Sequence, residues 1–68
     1  MIVTLKRTGI EMMLARKGLT KAAFSGLCGI NRGNLSTILS RGTCSPKNAC
    51  RIADALGVEV SEIIKEED

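Results

Sequence analysis

The stretch that decides the fold is Leu19-Thr20-Lys21-Ala22-Ala23-Phe24-Ser25-Gly26-Leu27-Cys28-Gly29-Ile30-Asn31-Arg32-Gly33-Asn34-Leu35-Ser36-Thr37-Ile38-Leu39. Thr20 carries a hydroxyl where a helix N-cap needs one, and Ala23, Phe24 and Leu27, with Cys28 before the break, supply the apolar members of a two-turn helix. Asn31 caps the next helix, in which Leu35, Ile38 and Leu39 recur at i, i+3, i+4 up to an end near Ser40. Only Cys28-Gly29-Ile30-Asn31 separates the two. A turn that short, with a glycine in it, sets its helices at a steep angle to each other.

Outward from this pair the chain stays helical. Upstream, Thr8 to Glu11 has the spacing of a capping box, and Ile10, Met13 and Leu14 follow as far as Gly18, in a first helix that starts either there or earlier, near Thr4. Downstream, Arg41 to Cys44 reads as a loop containing Gly42. Ser45 and Pro46 then open a helix carrying Ala49, Ile52, Ala53 and Leu56, which stops at Gly57. Ser61 is placed to cap a last short helix with Ile63 and Ile64. No useful segment alternates with period two, so the expected class is all-α: a compact five-helix bundle in a single domain spanning residues 1–68.

Composition narrows the function classes. Sixty-eight residues bury about 60% of the unfolded surface and leave little room for an enzyme cleft. The chain has no histidine, no acid pair in its body and no ligand cluster, so neither catalysis nor a cofactor or metal is expected. Gly26, Gly29 and Gly33 do not form a phosphate-binding loop, because the Gly-Lys-Ser/Thr ending is missing. Cys28, Cys44 and Cys50 are read as free thiols of a reducing cytoplasm. Cys28 is read as a core residue, Cys44 as an exposed loop thiol and Cys50 as borderline. No stretch reaches the roughly 20 apolar residues of a membrane span, and Met1 to Leu5 is too short for a signal-peptide core. The expectation is a cytoplasmic protein with no membrane and no small-molecule partner.

The net charge of +3 conceals an asymmetry. From Met1 to Arg51 nine Lys or Arg face one acid, Glu11; from Ile52 onward six acids face Lys65 alone. A basic body suits a polyanionic partner, and the acidic end, residues 59–68, is left to solvent or to another protein. Two helices across a tight turn can lay the second of them in the major groove of duplex DNA.

Gly18-Leu19-Thr20, Gly29-Ile30-Asn31, Leu35-Ser36, Arg41-Gly42, Ser45-Pro46 and Ile52-Ala53-Asp54-Ala55-Leu56-Gly57-Val58 stand in the order and near the spacing of one family. Together they make the chain resemble the phage-repressor and Cro type of helix-turn-helix regulator, from about Ile10 to Ile64. The resemblance implies a repressor-like, sequence-specific transcriptional regulator whose helix-turn-helix unit occupies residues 20–40 and whose recognition helix, about Asn31 to Leu39, enters the major groove. It places Arg32, Gly33 and Thr37 at base-reading positions, with Asn34 and Ser36 near the sugar-phosphate wall. Arg32 is the strongest reader, since a guanidinium donates two parallel bonds to guanine. Gly33 either lets the helix approach closely or leaves a base step unread.

Lys21 stands where the family often has a glutamine that bonds a phosphate. Arg41, Thr43 and Lys47 surround the start of the following helix, where backbone N–H groups also attract anions. Arg16, Lys17 and Arg51 are read as solvated charges, and Met12 and Met13 as core or edge packing. Where the family often buries an arginine–glutamate pair, this chain has Leu14 and Leu39, an apolar substitute expected to pack directly. The resemblance also implies a homodimer on DNA. Val58, Val60, Ile63 and Ile64 serve either that contact or the domain's own core. The other function class is a protein-interaction module, such as an antitoxin or adaptor, that uses the same fold.

Overall fold

The computed structural model describes residues 1–65, so Glu66, Glu67 and Asp68 of the acidic end lie outside it. Along the chain run β1 (Val3–Thr4), α1 (Arg7–Lys17), α2 (Lys21–Cys28), α3 (Arg32–Arg41), β2 (Thr43–Cys44), α4 (Pro46–Leu56) and a 3₁₀ turn over Val60–Glu62. The all-α class holds, with four α-helices rather than five among the described residues. The fifth is the single 3₁₀ turn, and its cap is Glu59 instead of Ser61. Glu62 reaches back so that its Oε2 accepts the Glu59 N–H at 2.9 Å, closing a capping box.

Three helix starts are set by the side chains expected to set them. Thr20 Oγ1 accepts the Ala23 N–H at 3.1 Å, Asn31 Oδ1 accepts those of Gly33 and Asn34 at 2.8 and 3.4 Å, and Ser45 Oγ accepts that of Asn48 at 3.3 Å. Each such cap stabilises its helix by about 1 kcal/mol. The first helix departs from expectation: it begins at Arg7, and Thr8 and Glu11 lie inside it with no cap role. A tertiary tether decides that start. The Lys6 N–H donates to the Ile63 carbonyl at 2.8 Å while the Lys6 carbonyl accepts the Ile10 N–H at 3.0 Å, so the chain turns helical before Thr8 is reached.

The other departure is a two-stranded antiparallel ribbon in which Val3 pairs with Cys44 and Thr4 with Thr43. On its far side the N-terminal segment meets the chain's other end, through a Leu5–Ile64 bridge and a Lys65 N–H donated to the Thr4 carbonyl at 2.8 Å. The ribbon explains why Cys44 is buried rather than an exposed loop thiol: its side chain is drawn into the core opposite Val3.

One core holds the molecule together. Phe24, Ile10, Leu35, Ile52 and Ile63 are wholly inaccessible at its centre, with Cys28, Ile30, Leu56 and Leu5 around them. Leu14 and Leu39 are both buried in this cluster. Val58, Val60 and Ile64 pack against the cluster and Ile63 lies inside it, so these four side chains are used within the domain.

Helix α2 buries only Phe24 and Cys28, spaced i, i+4; Ala23 and Leu27 are therefore turned outward, contrary to expectation, and Leu27 is 60% exposed. Met13 packs at the core edge, whereas Met12 is exposed. Helix α2 packs on α3 and α4, the arrangement that fixes the direction of α3.

Candidate nucleic-acid interface

The turn between α2 and α3 is built on Gly29, which takes a left-handed conformation (φ 69°) and donates its N–H to the Ser25 carbonyl at 3.0 Å. Few side-chain-bearing residues adopt that φ without cost. Ile30, next in the chain, is buried and pins the turn to the core. Helix α3 then turns Leu35, Ile38 and Leu39 inward and leaves Arg32, Gly33, Asn34, Ser36 and Thr37 exposed on its outer side.

Two shallow grooves flank that outer side. Lys21 and Ala22 from the start of α2 share the first with Arg32, Gly33 and Ser36 of α3. The second brings Asn34, Thr37 and Arg41 of α3 beside Thr43 and Cys44 of β2, Ser45 and Asn48 at the start of α4, and Ile2. Helix α3 thus lies between the N-terminal ends of two other helices.

Of the nine positions singled out in the sequence, Lys21, Arg32, Gly33 and Ser36 meet in one groove and Asn34, Thr37, Arg41 and Thr43 in the other. Lys47 lines neither. It is exposed in the first turn of α4, next to Pro46 and Asn48. Ser36 and Asn34, both expected near the sugar-phosphate wall, fall on opposite flanks of α3. Ile2 and Asn48 were not legible as part of this surface: Asn48 gave only a helix-start signal, and Ile2 reaches the groove through a ribbon too short to show a period.

The electrostatics of the helix ends are unusual in one direction. Arg7, Lys21 and Arg32 open α1, α2 and α3, Lys47 is second in α4, and none of the four helices has an acid in its first turn. A cation at a helix N-terminus opposes the macrodipole, at about 0.3–1 kcal/mol each. An anion held at those ends reverses the sign, since the backbone N–H groups and the cation then attract the same ligand. For α2 and α4 these ends border the two grooves beside α3.

Two side-chain details refine the reading of α3. The Thr37 hydroxyl donates to the Gly33 carbonyl at 3.0 Å, so its proton is already used within the helix. A Cβ at Gly33 would lie 3.1 Å from Asn31 Oδ1, crowding the oxygen that caps the helix. Glycine at this position therefore has a local structural reason.

No group of three or more His, Cys, Asp or Glu could hold a metal ion among the described residues. No helix there is long and apolar enough to cross a membrane. Comparison with curated proteins and with solved structures returns no significant match. The sequence model of the Cro/C1-type HTH DNA-binding domain, by contrast, matches residues 9–68, nearly the whole chain, and the protein belongs to that family of DNA-binding domains.

Proposed function

We propose that this domain is a sequence-specific transcriptional regulator that occupies an operator with α3 in the major groove. The observation that carries the proposal is the position of α3 between the N-terminal ends of α2 and α4, each with a lysine in its first turn and no acid. A helix seated in the groove so flanked meets a phosphate wall on either side. Lys21 and Ser36 serve one wall; Asn34, Arg41, Thr43 and Lys47 serve the other, fixing register without choosing sequence. Arg32 reads guanine O6 and N7, Thr37 reads through its methyl group, and Gly33 leaves its base step without a side-chain contact.

So few direct readers give one copy modest specificity, and a second copy on a half-site about one helical turn away supplies more. Repression follows if the occupied operator overlaps the polymerase site. Glu59 and Glu62 of the acidic end are engaged in capping the 3₁₀ turn, which gives the protein-interaction reading no added support.

Selection from random duplexes followed by titration of the enriched sequence against salt tests the proposal. Arg32→Ala is expected to relax preference at one base pair and to cost about 1–3 kcal/mol on the selected duplex. Lys21→Ala is expected to weaken all duplexes alike and to lower the log–log salt slope by about 1. Wild-type protein that binds no duplex at low salt, or binds with a slope near zero, overturns the DNA reading in favour of a module that holds another protein.

A further inference from the structure

We propose that Ile2 is a second reader of the operator, an apolar contact from the N-terminal segment to a thymine methyl at the outer edge of the half-site. The inference rests on the placement of α3 in the groove given above. It adds a residue that the family match, which begins at residue 9, does not cover.

Ile2 is 73% exposed and takes no part in the core, whereas its neighbour Val3 packs against it. The ribbon pairs Val3 with Cys44 and Thr4 with Thr43, and Ile2, the residue before it, lines one groove with Ser45, the cap of α4. There it borders the groove that holds Asn34, Thr37 and Arg41. A single exposed apolar side chain is ordinary on a protein surface. Met1, Met12 and Leu27 are also largely exposed, yet none of the three lines a groove beside α3. Ile2 is thus the one large exposed apolar side chain among the described residues that stands beside the reading helix.

Its chemistry selects the contact. A branched hydrocarbon gains nothing from a phosphate, and the apolar group on the major-groove edge of a base pair is the C5 methyl of thymine. The antiparallel pairing of Val3 and Thr4 holds the segment in place, so Ile2 meets the duplex with little ordering left to do.

The test uses the full chain and the duplex enriched from a random pool, in which each thymine is replaced in turn by deoxyuridine. One replacement beyond the Thr37 contact is expected to weaken wild-type binding about fourfold, the effect of one buried methyl group, and to leave the Ile2→Ala variant unaffected. Met12→Ala should respond like wild type, and thermal unfolding of Ile2→Ala should match wild type. If every deoxyuridine replacement acts equally on wild type and Ile2→Ala while Arg32→Ala still loses its base preference, the Ile2 inference falls and the placement of α3 stands. If Arg32→Ala also binds as wild type does, the placement of α3 falls and the Ile2 inference with it.

Discussion

The Thr37 hydroxyl donates to the Gly33 carbonyl one turn earlier in α3, at 3.0 Å, and this bond determines which part of Thr37 is free for DNA. What remains is the γ-methyl and two acceptor lone pairs. Thr37→Val keeps the methyl and removes the hydroxyl, and is expected to bind the selected duplex within about threefold of wild type. Thr37→Ser keeps the hydroxyl and loses the methyl, and should lose about fourfold in preference at one A·T pair. Both residues sit on an exposed helix face, so stability should change by less than about 0.5 kcal/mol. A Thr37→Val variant with no base preference there would show that the hydroxyl is the reader.

Two glycines forecast opposite effects of the same substitution. Gly26 lies within α2, exposed, with no atom within 4 Å of an added Cβ; Gly26→Ala should stabilise the domain by up to about 1 kcal/mol through helix propensity. Gly42 is the left-handed stop of α3 at φ 74°, and its added Cβ would fall 2.6 Å from Arg7 Cδ. The Arg7 side chain is exposed and can swing aside, so the backbone conformation sets most of the cost. Gly42→Ala should destabilise by about 1–2 kcal/mol, roughly 7–14 °C in Tm for a domain of this size. Thermal unfolding of the two variants beside wild type checks both signs.

What was legible in the sequence was what is local. Thr20, Asn31 and Ser45 cap helices because a side-chain oxygen meets an N–H two or three residues on, and that geometry travels with the sequence. Once Asn31 is the cap, counting along the helix assigns Arg32, Gly33 and Ser36 to the exposed side. What was illegible depends on distant partners. The ribbon joins two-residue strands that have no period to detect, so nothing local marks Cys44 as buried or sets Ile2 beside α3. The start of α1 is fixed by the Ile63 carbonyl, far along the chain, against a local Thr8–Glu11 signal that points two residues later. On α2, the apolar residues outnumber the buried positions of a two-turn helix, and only packing chooses Phe24 and Cys28 over Ala23 and Leu27.

Burial raises the Cys28 thiol from 9.0 to about 11. The folded state therefore holds this proton more tightly than the unfolded chain does. Below about pH 9 both states are protonated and the stability is intact; above it the unfolded chain ionises first, so stability falls as pH rises toward 11. Urea unfolding between pH 8 and 10.5 should show that decline, flattened in Cys28→Ala against its own lower baseline. Thiol labelling at pH 8 should modify exposed Cys50 rapidly, and Cys28 and Cys44 only at the rate at which the domain opens.

Gly33 separates a structural from a recognition role. An alanine there would gain helix propensity, as at Gly26, yet its Cβ would press on Asn31 Oδ1 at 3.1 Å, the oxygen that caps α3 through the Gly33 and Asn34 N–H groups. Weakening that cap removes up to about 1 kcal/mol, which offsets the propensity gain. Gly33→Ala should therefore leave stability close to wild type, without the increase expected of Gly26→Ala. If the cap is the reason for the glycine and its base step is unread, affinity for the selected duplex should stay within about threefold and the base preference set by Arg32 should persist. A loss of more than about tenfold with unchanged stability would assign Gly33 instead to close approach of the α3 backbone to the floor of the groove.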